Sequence, residues 1–375
     1  MLAITNAKVY PITGKPMDGA TVLIDGGKIV AVGRVEIPSS AETLDASGQY
    51  LFPGFIDPHT HVGLWGEGDG HMAYDGNEWT QVTTPQVRAL DAINPHHISF
   101  ADARSAGVTT VQTLPGSGNP IGGEMVVVKT YGRTADEMVL RRPSGLKGAF
   151  GENPKRLHGQ NNKRTPSTRM GVAAVIRQHL IKAQEYKPEN GRDIGLELTA
   201  MVLRREIPLR LHAHRADDIV TAIRIAKEFD VDLSIEHATS GYMIADFLAE
   251  AGYPVNIGPT LGSRTKLETA NLTFRAAGIL AKAGCRVSLI TDHPFVPLTF
   301  HRLIGALSVR EGMSEEDALK AMTINPALTL GVEARVGSIE VGKDADLVLW
   351  SDHPFKTRAR VLATYINGNC VFEQV

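Results

Sequence analysis

The feature that most constrains this chain is a succession of short apolar segments through its middle, alternating with amphipathic stretches. Val108 to Leu114, Met125 to Thr130, Leu209 to Ala213, Leu233 to Glu236, Val255 to Ile257 and Arg286 to Thr291 read as strands. Ala216 to Asp230 carries Ile219, Ile223 and Ala226 at helical steps. Gly241 to Ala251, Leu272 to Ala283 and Ser314 to Met322 also read as helices, and Ser314 with Asp317 makes a suitable helix start. Such alternation is the signature of repeated βα units and a parallel sheet. The middle has room for about eight units, the roughly 250 residues of a closed (β/α)8 barrel. An open doubly wound sheet competes, but no Gly-x-Gly-x-x-Gly follows a strand.

The two ends have a different grain. Ala20 to Asp25 and Lys28 to Val32 flank Gly26-Gly27, and Val361 to Ile366 precedes Asn367-Gly368; both are hairpin signals. Ala345 to Trp350 reads as a further strand. The expected α/β architecture is a TIM barrel over residues 53–337, with the β-rich ends, residues 1–52 and 338–375, free to pair into one small domain, a pairing that the local signals do not establish.

Composition narrows the function. A net charge of -2 without a long run of one sign offers no footprint for nucleic acid. No apolar run approaches the roughly 20 residues needed to cross a membrane, and Met1 to Asn6 lacks a basic start, so the cytoplasm is the expected location. Cys285 and Cys370 form no Cys-x-x-Cys pair, which argues against a thiolate metal site. A small-molecule substrate is the expected partner, and assembly into a homo-oligomer is left open.

The chemistry concentrates where strands end, the face at which barrels carry their active sites. Leu51 to Pro58 leads into His59-Thr60-His61, and residues two apart on a strand share a side, so both imidazoles can face one ion. Leu209 to Leu211 ends in the similar pair His212-Ala213-His214. Ser234-Ile235-Glu236 leads to His237, and Val287 to Thr291 ends in Asp292-His293. Four apolar strands thus each deliver a His or Asp to one rim. Imidazoles joined by a carboxylate are the usual donors for zinc and similar divalent ions.

With these residues in view, Pro53-Gly54-Phe55-Ile56-Asp57-Pro58-His59-Thr60-His61 resembles the first-strand signature of the amidohydrolase superfamily, nearest its imidazolonepropionase-like branch. Thr323-Ile324-Asn325-Pro326-Ala327 and the stretch from Gly337 to Val348 resemble its exit from the barrel and return to a small β-sandwich, which implies that residues 1–52 and 338–375 form that sandwich. The resemblance spans nearly the whole chain. It implies metal ligation by His59, His61, His212, His237 and Asp292, with His237 and Asp292 also taking part in catalysis. It implies one or two ions, zinc first and manganese or iron(II) as alternatives. It further implies a bridging glutamate or carboxylated lysine; Glu152 is favoured here, with Lys129 and Lys147 as the other candidates. The reaction implied is hydrolysis of an amide or cyclic amide C–N bond, the alternatives being deamination of an aminated heterocycle and a non-catalytic scaffold.

Weaker signals point to substrate contacts. His214 has no assured counterpart among relatives and is read as a substrate or supporting residue. Trp65 lies in a glycine-rich segment, Gly63 to His71, which is read with Asp75 to Trp79 as a lid over the rim. Arg264 follows a strand end and is a candidate for a substrate carboxylate. The constellation makes a direct prediction: the double variant His59→Ala, His61→Ala should lose bound divalent metal by elemental analysis, and unchanged metal content would refute it.

Overall fold

The computed structural model describes residues 1–65 and 73–374. Five strands open the chain: β1 (Leu2–Val9), β2 (Met17–Asp25), β3 (Lys28–Gly33), β4 (Glu42–Asp45) and β5 (Tyr50–Pro53). Eight more build the barrel sheet: β6 (Phe55–Thr60), β7 (Val108–Thr113), β8 (Ile121–Lys129), β9 (Val139–Ala149), β10 (Leu209–Ala213), β11 (Leu233–His237), β12 (Val255–Ile257) and β13 (Val287–Leu289). Then β14 (Leu347–Trp350), β15 (Val361–Ile366) and β16 (Asn369–Glu373) return to the first sheet.

The barrel strands neighbour one another in chain order, from β6 to β13. Polar bonds tie the last strand's extension back to the first. Thr291 donates to Asp57 Oδ2 from its backbone N (2.9 Å) and from Oγ1 (2.6 Å). Beside them, the His61 N–H donates to the His293 carbonyl at 2.8 Å. Outside the sheet, helices cover the apolar strand residues. Ala216–Phe229 buries Ile219, Ala222, Ile223 and Ala226 and stops at Asp230, whose φ of 51° is left-handed. Each such isoleucine contributes about 1.5–3 kcal/mol by leaving water. These residues share one core with Phe55, Phe100, Val111, Leu211 and Ile235.

The barrel departs from the expected all-parallel pattern at one strand. β8 runs antiparallel to both β7 and β9. The reason is chain length. Residues 114–120 between β7 and β8 are fewer than the dozen or so that a parallel crossover requires, and they hold no helix. The reversal also removes Lys129 from the candidate ligands. Lys129 pairs with Thr110, near the start of β7, so the end of β8 lies at the opposite end of the barrel from the histidines.

The chain's two ends mesh in one continuous sheet where a sandwich was expected. Its order is β16-β15-β14-β5-β1-β2-β3, with β4 on β1. The Gly26-Gly27 and Asn367-Gly368 turns make the expected hairpins. Ile4, Val9, Val22, Ile29, Leu51 and Leu347 form its core. Lys129 joins this sheet to the barrel: its Nζ lies 2.7 Å from Asp344 Oδ2, 2.9 Å from Asp346 Oδ1 and 2.6 Å from Asn367 Oδ1. Among the described residues, no helix is long and apolar enough to cross a membrane.

Removing a single partner from a buried ion pair leaves an uncompensated charge. Lys129→Met is therefore expected to cost about 3–5 kcal/mol of unfolding free energy, measured by denaturant titration. A loss below about 1 kcal/mol would show that the two sheets do not depend on this junction.

Candidate functional site

Seven ionisable side chains converge where the parallel strands end: His59, His61, Lys147, His212, His214, His237 and Asp292. All seven are buried, and Asp292, at 9% exposed, is the most accessible. Four imidazoles are oriented through Nδ1. His61 Nδ1 lies 2.7 Å from the Leu114 carbonyl, and His237 Nδ1 lies 2.8 Å from the Gly258 carbonyl. His59 Nδ1 lies 2.7 Å from Glu236 Oε2, and His214 Nδ1 lies 2.7 Å from Thr239 Oγ1. A ring that donates from Nδ1 keeps a lone pair on Nε2. For His59 and His61, that Nε2 lies 3.4 and 3.3 Å from Asp292 Oδ1.

Backbone strain helps aim these groups. His237, Ala238 and Asp292 hold φ of 75°, 45° and 53°, values that non-glycine residues adopt only where the surroundings impose them. On a regular strand, Glu236 and His237 would face opposite sides. The turn at His237 lets Glu236 bond His59 while the His237 ring packs 4.6 Å from the same imidazole.

Burial sets the electrostatics. It pulls the Lys147 ammonium down to about 8, against the opposing attraction of Glu236 and Asp292. It also holds His212, His214 and His237 well below the ordinary imidazole range, so they are neutral donors. For Asp292, burial pushes upward, but His237, His59 and His61 outweigh it and keep the carboxylate ionised. Glu236 behaves alike: burial raises it, the His59 bond outweighs that, and the group titrates near about 2.

These residues fit a divalent metal. Ligand atoms of His59, His237 and Asp292 lie within 4.8 Å of one another, as do those of His212, His214 and His237. His212 is the most telling member, since neither ring nitrogen has a hydrogen-bond partner although both are buried. An unpaired buried polar atom is costly unless something coordinates it. Neutral imidazoles with a carboxylate are the donor set zinc favours. The cavity they line has a volume of about 170 Å³. A larger surface hollow, about 820 Å³ around His179 and Asp193, holds no such cluster among the described residues.

Two expectations change. Glu152 does not join the ring. It begins a helical turn beyond β9, its N–H donates to Glu268 Oε2 at 2.8 Å, and its own Oε1 accepts from the Glu268 N–H at 3.2 Å. Lys147 stands in its place, inside the barrel on β9, with Nζ 3.3 Å from His59 Nε2. Arg264 is exposed and donates to the Leu272 carbonyl, outside the cavity. Trp65 does approach the site, its ring 4.3 Å from His61 and 5.5 Å from Phe295. Residues 66–72 of the expected lid lie outside the described residues.

Sequence reasoning passed over Glu236, Glu268 and Lys266. Glu236 was visible as a carboxylate inside an apolar strand, beside a histidine. Nothing local marked the other two, whose positions depend on the loop after β12.

Residues 50–371 match the family described as "Amidohydrolase family". A solved amidohydrolase from Thermotoga maritima is 47% identical, with a TM-score of 0.97 over the whole of both chains. Amidohydrolase tasK of Hapsidospora irregularis is 28% identical over 99% of this chain, which spans 43% of that relative's length. An imidazolonepropionase from Porphyromonas gingivalis is also 28% identical, over 88% of this chain and 82% of its own.

Groups that orient metal ligands typically tune affinity 10–100-fold. Glu236→Gln keeps the side chain's shape but removes the charge that anchors His59. Chelator competition should then show metal affinity weakened by about 10–100-fold, and unchanged affinity would exclude the anchoring role.

Proposed function

This chain belongs to the amidohydrolase family, and on that premise we propose that it hydrolyses a C–N bond of a small amide or cyclic amide with one or two divalent ions, zinc first. The observation that carries this reading is the buried ring itself, in which His212 has no partner for either nitrogen.

A divalent ion in the ring lowers the pKa of water from about 15.7 toward about 7 and polarises a carbonyl oxygen. The chain's own residues do the rest. His59, His61 and Asp292 would hold one ion, and His212 and His237 a second. Lys147, with Nζ 3.3 Å from His59 Nε2, would supply a further oxygen ligand once its amine had combined with carbon dioxide and released a proton to become a carbamate. Burial favours this step by favouring the neutral amine. Asp292 faces the cavity with the greatest exposure of the ring. It takes the proton of the attacking water and hands it to the leaving nitrogen, as base and then as acid. The surrounding cavity limits the substrate to a small molecule.

The test is a panel of cyclic amides, N-acyl amino acids, dipeptides and aminoheterocycles, offered to zinc- or manganese-loaded protein. Ring-opened acid or free amine supports the proposal. Ammonia released only from the aminoheterocycles would make the protein a deaminase, and no product from any member would refute hydrolysis. Asp292→Asn should retain most of its metal yet lose at least about 10²-fold in kcat. Normal turnover in that variant would remove Asp292 from proton transfer.

A further inference from the structure

Lys266 lines the metal-site cavity and, among the described residues, is the only ammonium or guanidinium that does. Lys147 is sealed within the barrel wall, and Arg264 faces solvent. Behind Lys266 stands Glu268, 1% exposed, in the middle of a short 3-10 turn, Leu267–Thr269. One Glu268 oxygen is committed to the Glu152 N–H. The other has no hydrogen bond and lies 3.7 Å from Lys266 Nζ, 3.8 Å from His212 Nε2 and 3.9 Å from His214 Nε2.

That 3.7 Å contact is loose. A charge-assisted N–H to oxygen bond closes to about 2.7–2.9 Å. Glu268 therefore attracts Lys266 toward the ring without occupying its donors, and an ammonium has three. The side chain keeps 25% of its surface exposed, enough to meet a ligand in the cavity. Ser263 and Thr265 line the same cavity, as does Thr269, whose hydroxyl is bonded to the Lys266 backbone. A positive, partly desolvated donor beside hydroxyls and next to the reacting centre suits a carboxylate on a small molecule.

We infer that Lys266 recognises a carboxylate carried by the substrate, with Glu268 positioning it, so that small anionic amides are preferred over neutral ones. The inference rests on the hydrolytic reading above and names the substrate class for it. Glu268 itself is not the recognising group, because it is absent from the cavity lining and already faces Lys266.

The test separates binding from turnover. In a zinc-loaded Asp292→Asn background, calorimetry compares N-acetylglycine with its neutral analogue N-acetylglycinamide. The carboxylate should bind at least about tenfold tighter. Adding Lys266→Met should bring the two within about threefold, while Lys266→Arg should keep the preference. Circular dichroism controls for folding. A carboxylate preference undiminished in the Lys266→Met protein would assign recognition to the metal or to another group and overturn the inference, as would the absence of any preference beforehand. In the active protein, Lys266→Met should raise KM for the best anionic substrate by about 10–100-fold with kcat within about threefold. Because the calorimetry needs no turnover, Lys266-dependent binding without hydrolysis of any amide would sink the hydrolytic reading alone. Hydrolysis indifferent to Lys266 would sink this inference alone.

Discussion

The contact on which the rest of the molecule depends is the pair of hydrogen bonds from Thr291 to Asp57. Asp57 is fully buried, and burial raises its carboxyl above the ordinary range. Its other oxygen accepts from the His59 N–H at 3.1 Å. One side chain thus fixes the backbone at His59 and draws the residue before Asp292 toward it. Those two residues must meet for the ring to exist, and they are separated by most of the chain. The carboxylate that brings them together already accepts three hydrogen bonds from the segments it joins.

A second layer of polar groups supports the first. Glu236 accepts from His59, Ser234 and Asn256, and the Arg210 guanidinium stands 3.8 Å away. Arg210 is wholly buried, and its other contacts are the carbonyls of Ser144 and Thr329. Charges so deep in a barrel persist only when each is answered by another. Here the answering partners also set the direction of the imidazoles. Packing and catalytic geometry are therefore the same network viewed from two ends.

Much of this was legible in the sequence, for reasons that can be stated. Same-side spacing at His59 and His61, and again at His212 and His214, follows from the pleat of a strand, a local property. The βα alternation follows from helical and strand periodicity, also local. The reversal of β8 was missed because Met125 to Thr130 looks equally apolar in either direction; the deciding quantity was the length of the link before it. Glu152 was preferred to Lys147 on the argument that a carboxylate needs no modification. Position separates the two, since Lys147 lies within β9 and Glu152 beyond it. Lys266 and Glu268 emerge only once the loop after β12 folds back over the rim, which no periodicity records.

The reversed strand has a consequence for where this architecture can change. In an all-parallel barrel, every link after a strand overhangs the chemistry and every link before one lies beneath it. Here the link at residues 114–120 is a tight turn at the rim that contributes Ser117 to the cavity, and residues 130–138 belong to the far end. An insertion at 130–138 would add surface without touching the reaction, whereas one of equal size at 114–120 would rebuild the cavity wall. The same reversal puts Lys129 beside the terminal sheet, so a strand turned the wrong way for catalysis becomes the anchor for both ends of the chain.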